Sequence, residues 1–291
     1  MIDFINYNWM PTIADHCLDL PEDFYRQAGV SRLHDIDSIN PEEVKENDIV
    51  FIKTDFVHNG LFTKEILPKI KNKFTLITGI SSYTVDNFSD EIVENEFVKY
   101  WFCTNPSDID SDKLIPLPIG FEEKERDGGN QDVLNNHHNY PVLWQKKNSM
   151  IYLPYHTPGT NPERDQVIQF LSSLDYVTIE KQKLPFDEYL RKMAEYRYVI
   201  CLPGAGEDTH RNYEALLSNS MPIMLKRRMK KLYDFYNLPA IFLDNWTEME
   251  WARLQIDAIY DNPEFNLPIN TINDFLNVKS HKERILEYAK N

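Results

Sequence analysis

Short apolar runs alternate with amphipathic segments along most of the chain. In the first half, MIDFINY (1–7), DIVFIKT (48–54), FTLITG (74–79), KYWFCTN (99–105) and the proline-containing KLIPLPIG (113–120) read as five strands. HNGLFTKEILPKI (58–70) carries apolar residues at helical spacing. Continuous apolar strands separated by helices predict a parallel sheet covered on both faces. The pattern breaks over 122–148, a polar stretch containing Gly128-Gly129 and His137-His138, which reads as an interdomain linker or exposed excursion. A second alternation follows. Strands are expected at 149–155, 176–180, 197–204, 221–225 and 240–245. Helices are expected at 161–174, 185–196, 208–219 and 247–260, with a last helix over roughly 271–290.

A βα alternation that occurs twice in 291 residues predicts an α/β chain of two Rossmann-like domains. The expected division is 1–140, 141–270 and a closing helical segment 271–291.

Charge and cysteine usage narrow the function. Lys+Arg is 31 against 46 Asp+Glu, a net charge of −15. Such a surface repels phosphate backbones and anionic lipid, so nucleic acid and membrane surfaces are not expected partners. Cys17, Cys103 and Cys201 are far apart and form no CxxC, so buried reduced thiols are expected rather than a disulfide framework or a zinc site. No apolar run reaches the ~18 residues of a membrane span. The N-terminus has no basic region and carries Asp3, unlike a signal peptide. The expectation is a soluble protein of a reducing compartment, without a membrane anchor.

The chemistry concentrates in RYVICLPGAGEDTHRNYEALLSNSMPIML (197–225). A buried strand runs into Pro203-Gly204-Ala205-Gly206, where glycines permit a tight turn and close approach of a ligand. Asp208 is the expected N-cap of the next helix. A helix start beside such a loop, with free N–H groups and a positive dipole end, suits a phosphate. Arg211 and Glu214, three apart, share a helix face. The arginine can take a diphosphate bidentately, and the carboxylate one turn on can accept the hydroxyls of a ribose. The plainer readings are a simple βα turn and a surface ion pair. A dinucleotide fingerprint fails, because Thr209 stands where its third glycine belongs. That weighs against a nicotinamide-dependent oxidoreductase.

This segment resembles the signature of the exostosin-like glycosyltransferases. The matching residues are Pro203, Gly204, Gly206, Asp208, Thr209, His210, Arg211, Glu214, Ala215, Leu216, Pro222 and Ile223. Upstream, FIKTDF (51–56), LPKI (67–70), FTLITG (74–79), WFCTN (101–105), LPIGFE (117–122) and GTNPERDQVI (159–168) follow the order of segments in small proteins of this type. The chain departs from the pattern after the third strand. There Gly79-Ile80-Ser81-Ser82 replaces the His-Asn-Ser-Asp-like turn of relatives.

The resemblance implies a GT-B fold, two Rossmann-like domains with parallel sheets facing a central cleft, the last helix crossing back to the first domain. It implies an inverting transfer from a UDP-sugar, with a lean to UDP-xylose, to a hydroxyl of an oligosaccharide or glycoprotein. No cofactor or essential metal is expected beyond the UDP-sugar co-substrate. It implies a soluble cytoplasmic enzyme like bacterial or viral members, in the host cytoplasm if viral. The implied donor-binding residues are Gly204, Gly206, Asp208, Thr209, His210, Arg211, Glu214, Asn161 and Arg164, with Arg211 also stabilising the leaving diphosphate. A general base is required. It is sought at the carboxyl end of a strand in the first half, where Asp55 is the first candidate with His58 nearby, and Asp15 and His16 are the others. Tyr7, Trp9, Tyr83 and Trp101 are candidates to stack on acceptor sugars, with core packing the stronger reading for Trp101. The alternative to an enzyme is a degenerate GT-B module that binds a nucleotide or glycan without turnover.

Overall fold

The computed structural model describes residues 1–19, 39–159, 162–260, 262 and 264–290. They divide into two units. One comprises Asp3–Gly129, Gly206–Asp208 and Asn277–Asn291; the other comprises Met1–Ile2, Asn130–Ala205 and Thr209–Leu276. Each holds a five-stranded sheet of the described residues, parallel throughout, so both have the α/β class expected from the sequence.

The first unit contains β1 (His16–Leu18), β2 (Ile49–Lys53), β3 (Phe74–Gly79), β4 (Val98–Thr104) and β5 (Leu114–Leu117), paired in sequential order. The described segments that lead from β2 to β3 and from β3 to β4 pack on one face of this sheet. Inward residues of that face, among them Val50, Ile52, Leu76 and Trp101, pack with Val57, Phe62, Leu67 and Ile92 of the connecting segments. These segments include α1 (Thr54–His58) and α2 (Ser89–Glu94). Side chains alternate across a strand. The residues of opposite phase, such as Tyr100 and Phe102, therefore need a separate cover. The C-terminal helix, residues Val278–Lys290, supplies it. Tyr288 meets Tyr100 and Phe102 edge-on at 4.8 and 5.5 Å, and Lys99 Nζ donates to the Ala289 carbonyl at 3.1 Å.

The structure differs from the sequence-based expectation at three segments. Residues 1–7 are not a strand of the sheet. Phe4 and Asn6 make single bridges to Asn277 and Phe121, and the Asn6 side chain caps a 3-10 helix, Tyr7–Ile13, which bends the chain before a ladder can extend. The first strand is instead the three-residue β1. The segment 58–70 is not one helix: α1 is followed by a π-helical turn, Phe62–Ile66, and a 3-10 turn, Leu67–Lys69. The polar stretch 122–148 is not an excursion. It contains α3 (Gln131–Asn139), capped by Asn130, with Leu134 and Asn135 buried. Its fixing contacts are polar, which is why no apolar stripe marks it. Asn135 accepts from Ile2 N (2.8 Å) and donates to Ile2 O (3.0 Å). His137 meets an Asp187 carboxylate oxygen at 3.1 Å.

The second unit contains β6 (Asn148–Leu153), β7 (Val177–Ile179), β8 (Tyr196–Ile200), β9 (Met221–Leu225) and β10 (Ile241–Leu243) in the order β10-β9-β8-β6-β7. Its helices are α3, α4 (Pro162–Leu171), α5 (Phe186–Ala194), α6 (His210–Leu217), α7 (Arg227–Tyr236), α8 (Met249–Gln255) and α9 (Ile269–Phe275). The helical segment expected over roughly 271–290 is two helices, α9 and α10 (Val278–Lys290), which belong to different units.

At the amino ends of β6 and β8, the buried Lys147 ties two helix ends together. Its Nζ donates to Ala194 O at the end of α5 (2.6 Å), to Ser218 O after α6 (2.7 Å) and to Ser220 Oγ (3.2 Å). A cation at helix C-termini is electrostatically favoured. Burial nevertheless pulls the Lys147 ammonium down to about 7.

Candidate functional site

In the β6–β10 sheet the chain steps outward from β6 to β7 and then back past β6 to β8. This reversal makes a topological switch point between β6 and β8. Open α/β sheets bind ligands outside the carboxyl ends of the strands at such a point. Pro154-Tyr155-His156 leave β6 there, and Pro203-Gly204-Ala205 follow β8 before the chain turns into α6.

Arg211, the second residue of α6, is the hub. Its Nε donates to Tyr189 Oη (3.2 Å), its Nη2 to Tyr155 O (3.2 Å) and its Nη1 to His156 Nε2. These bonds use three of the five N–H groups of a guanidinium. Tyr189, near the start of α5, donates its hydroxyl to Glu214 Oε2 at 2.6 Å. Glu214 is buried one turn along α6 from Arg211. Arg164 of α4 donates Nε and Nη2 to the Pro203 carbonyl at 3.1 and 2.6 Å.

The electrostatics follow from burial and from the clustered cations. Burial works against the Arg211 charge, but the Tyr189 and Glu214 oxygens outweigh it and leave the group above its ordinary value. Arg164 is lowered by burial and by the Arg211 charge. Two guanidinium groups near enough for the charge of Arg211 to lower Arg164 form a locus where an anion is stabilised. Burial, then Arg211 and Arg164, push His156 down to about 2, so its ring is neutral. Burial and Glu214 hold the Tyr189 phenol well above its usual value, so it stays a donor.

The start of α6 differs from the expectation. Asp208 is not its N-cap. The cap position is Thr209, in an extended conformation, and its side chain makes no capping bond. Its buried hydroxyl oxygen has no hydrogen-bond partner among the described residues. Asp208 is used elsewhere: its carboxylate accepts from Ile119 N (3.1 Å) and its own N–H donates to Asn105 Oδ1 (3.2 Å), all within the β1–β5 unit. Gly206 belongs to that unit too. A Cβ added there would lie 3.2 Å from Ser82 O and 3.3 Å from the Asn105 amide, so the approach this glycine visibly serves is to protein.

Gly204 and His210 are half-buried in the β8–α6 connection and at the first position of α6. Asn161 lies outside the described residues. Asp55 stands in α1 directly after β2, at the carboxyl end of the first sheet, paired with the Lys53 ammonium. Lys53, itself buried, also donates to Ile80 O at 2.7 Å. Ile80 lies in the Gly79–Ser82 turn with φ of 58°, a strained conformation for a β-branched residue. His58 stacks on Tyr83 at 4.3 Å.

Asp15 and His16 do not follow the first strand. They precede and open β1, at the amino end of the sheet. Asp15 exchanges hydrogen bonds with the Ile49 backbone, and His16 meets Asp48 at 2.9 Å. The misplacement follows from taking residues 1–7 as the first strand. Trp9 and Trp101 are core residues, the latter donating to Thr78 Oγ1 at 2.9 Å, while Tyr83 is about half exposed.

Sequence reasoning missed His156 and Tyr189. A histidine three residues past an apolar strand was the available signal for the first. The tyrosine in an amphipathic helix gave none. Among the described residues no group of three or more His, Cys, Asp or Glu could hold a metal ion, and no helix is long and apolar enough to cross a membrane.

No family model matches the sequence, and no curated protein matches it. Among solved structures the chain is similar to one from the GtfA/B complex, with a TM-score of 0.45 and 8% identity, over 86% of this chain and 59% of that one. It is also similar to the pneumococcal O-GlcNAc transferase GtfA in complex with UDP and GlcNAc, with a TM-score of 0.41 and 10% identity, over 92% of this chain and 59% of that one. The chain thus matches about three-fifths of the length of either.

Proposed function

We propose that the chain is an exostosin-like glycosyltransferase of GT-B type. In this reading the β6–β10 unit binds a UDP-sugar and the β1–β5 unit takes a glycan or glycoprotein acceptor. The observation that carries it is the seating of Arg211. The guanidinium is held by Tyr189, Tyr155 and His156 at the switch point, with N–H groups to spare, and electrostatically coupled to Arg164. The second support is Thr209, whose buried hydroxyl has no hydrogen-bond partner among the described residues and can donate to a phosphate oxygen.

The chemistry is a displacement at the anomeric carbon. A base removes the proton of the acceptor hydroxyl, its oxygen forms the new bond to carbon, and the bond to the diphosphate breaks with the electron pair leaving on UDP. Arg211, Arg164 and the helix start stabilise that growing charge. Glu214 accepts from the ribose hydroxyls. Asp55 is the base candidate that stands at the carboxyl end of a strand; inversion at the sugar carbon follows from a single displacement. UDP-xylose is the first donor to try.

The test is a thermal-shift panel of UDP, GDP, ADP, CMP and NAD, followed by turnover of UDP-sugars. A ligand present at 100 times its dissociation constant adds about 2.7 kcal/mol to stability. Stabilisation by UDP, with release of UDP from a UDP-sugar, is expected. Stabilisation without turnover of any UDP-sugar would point to the binding module instead, and silence to all nucleotides would end the proposal.

A further inference from the structure

Arg211 and Glu214 stand three residues apart on α6, a spacing at which opposite charges reach each other directly. Here the hydrogen-bonded route between them runs through a third residue. Tyr189 Oη accepts from Arg211 Nε at 3.2 Å and donates to Glu214 Oε2 at 2.6 Å. The phenol sits on another helix, α5, whose first turn is fixed by the Tyr189 N to Pro185 O bond (2.8 Å) and whose far end is held by Lys147. Phe186 packs beside its ring, with centroids 6.1 Å apart. The hydroxyl is therefore delivered by a rigid element and spends both its donor and its acceptor on this pair.

A direct ion pair between Arg211 and Glu214 would turn the guanidinium away from Tyr155 and His156 and neutralise both charged groups at once. We propose that Tyr189 is a positioning residue that keeps Arg211 and Glu214 apart, and thereby sets the preference of the site for a nucleoside diphosphate over a monophosphate. With the hydroxyl in place, Arg211 keeps its two remaining N–H groups for the distal phosphate. Without it, Arg211 closes on Glu214 and the advantage of the second phosphate is lost. The inference rests on the nucleotide reading of the site; the spacing role itself does not.

Three variants test it: Tyr189→Phe, Glu214→Gln and the double variant, each titrated with UDP and with UMP by calorimetry. The wild type should favour UDP. Tyr189→Phe should reduce the UDP/UMP ratio by on the order of tenfold, as expected for losing one hydrogen-bonded charge contact. Glu214→Gln should weaken both nucleotides and keep the ratio, since a neutral amide does not draw the guanidinium in. The double variant should recover the ratio that Tyr189→Phe lost, an outcome that mere damage to packing does not produce. An unchanged ratio in Tyr189→Phe, a lost ratio in Glu214→Gln, or no recovery in the double variant overturns the assignment. A crystal structure of Tyr189→Phe without nucleotide separates the two layers. If the wild type binds neither nucleotide, the functional reading fails. The structure then still decides the spacer: Arg211 on Glu214 supports it, and Arg211 unmoved on Tyr155 and His156 refutes it.

Discussion

His156 presents the lone pair of Nε2 to the Nη1–H of Arg211. An arginine only donates, so Nε2 carries no proton; the proton is on Nδ1, which lies 2.8 Å from the Pro154 carbonyl. Both ring nitrogens are thereby committed, and protonation of the ring would break the contact to Arg211.

Acid stability follows from this contact. The folded value of about 2 lies below the 6.5 of an unperturbed histidine. Below pH 6.5 the unfolded chain takes up a proton that the folded chain refuses, so this residue costs stability progressively as pH falls toward 2. The slope is at most about 1.4 kcal/mol per pH unit. In urea unfolding at pH 7.5, 6, 5 and 4, His156→Gln should lose less stability on acidification than the wild type. Parallel profiles would mean that His156 is not buried neutral against Arg211.

Lys147 gives the opposite limb. Its ammonium is lowered by burial to about 7, from an ordinary 10.5. Below pH 7 both states hold the proton and the burial penalty is fully present. Between 7 and 10.5 the folded chain has released it while the unfolded chain still binds it, so stability from this group rises with pH. The stability of the wild type relative to Lys147→Met should therefore increase from pH 7 to pH 10. A constant difference would show that the three acceptors keep Lys147 charged throughout.

Gly120 has a φ of +79°, and an added Cβ would lie 2.4 Å from the Ile5 carbonyl oxygen, beside the 2.8 Å bond from Phe121 N to that same oxygen. Gly120→Ala should destabilise by about 2–4 kcal/mol, since both the backbone conformation and the contact are unfavourable. Denaturant midpoints check this, and a loss below about 0.5 kcal/mol would show that this crossing of chains relaxes easily.

The sequential order of the first sheet makes the C-terminal helix part of its core. Ending the chain at Leu276 uncovers the face that carries Tyr100 and Phe102. The truncated protein should bind a hydrophobic dye and lose part of its cooperative unfolding transition. An unaltered transition would mean that α10 is dispensable.

The long β-branched runs were legible because period and length agreed: 48–54, 74–79 and 99–105 fall on β2, β3 and β4. The short and the polar elements were not. A three-residue strand, His16–Leu18, has no period to read, and α3 is fixed by the Asn130 cap and Asn135 rather than by an apolar stripe. At the candidate site, Arg211 and Glu214 were visible because a local motif places them on one helix turn. Tyr189 and His156 reach them from 22 and 55 residues away, through strand order, which no local pattern encodes. Asp208 was misread as a cap because its carboxylate answers to Ile119, 89 residues distant.

In the proposed function, the switch point of the β6–β10 sheet binds a nucleoside diphosphate through Arg211. The most direct measurement is a calorimetric titration of UDP into the wild type and into Arg211→Ala, with circular dichroism showing that the variant is folded. Saturable binding to the wild type, weakened a hundredfold or more on the order expected for a buried charge contact in the variant, is the predicted result. Equal affinity in the two proteins, or no binding of UDP to the wild type, would contradict it.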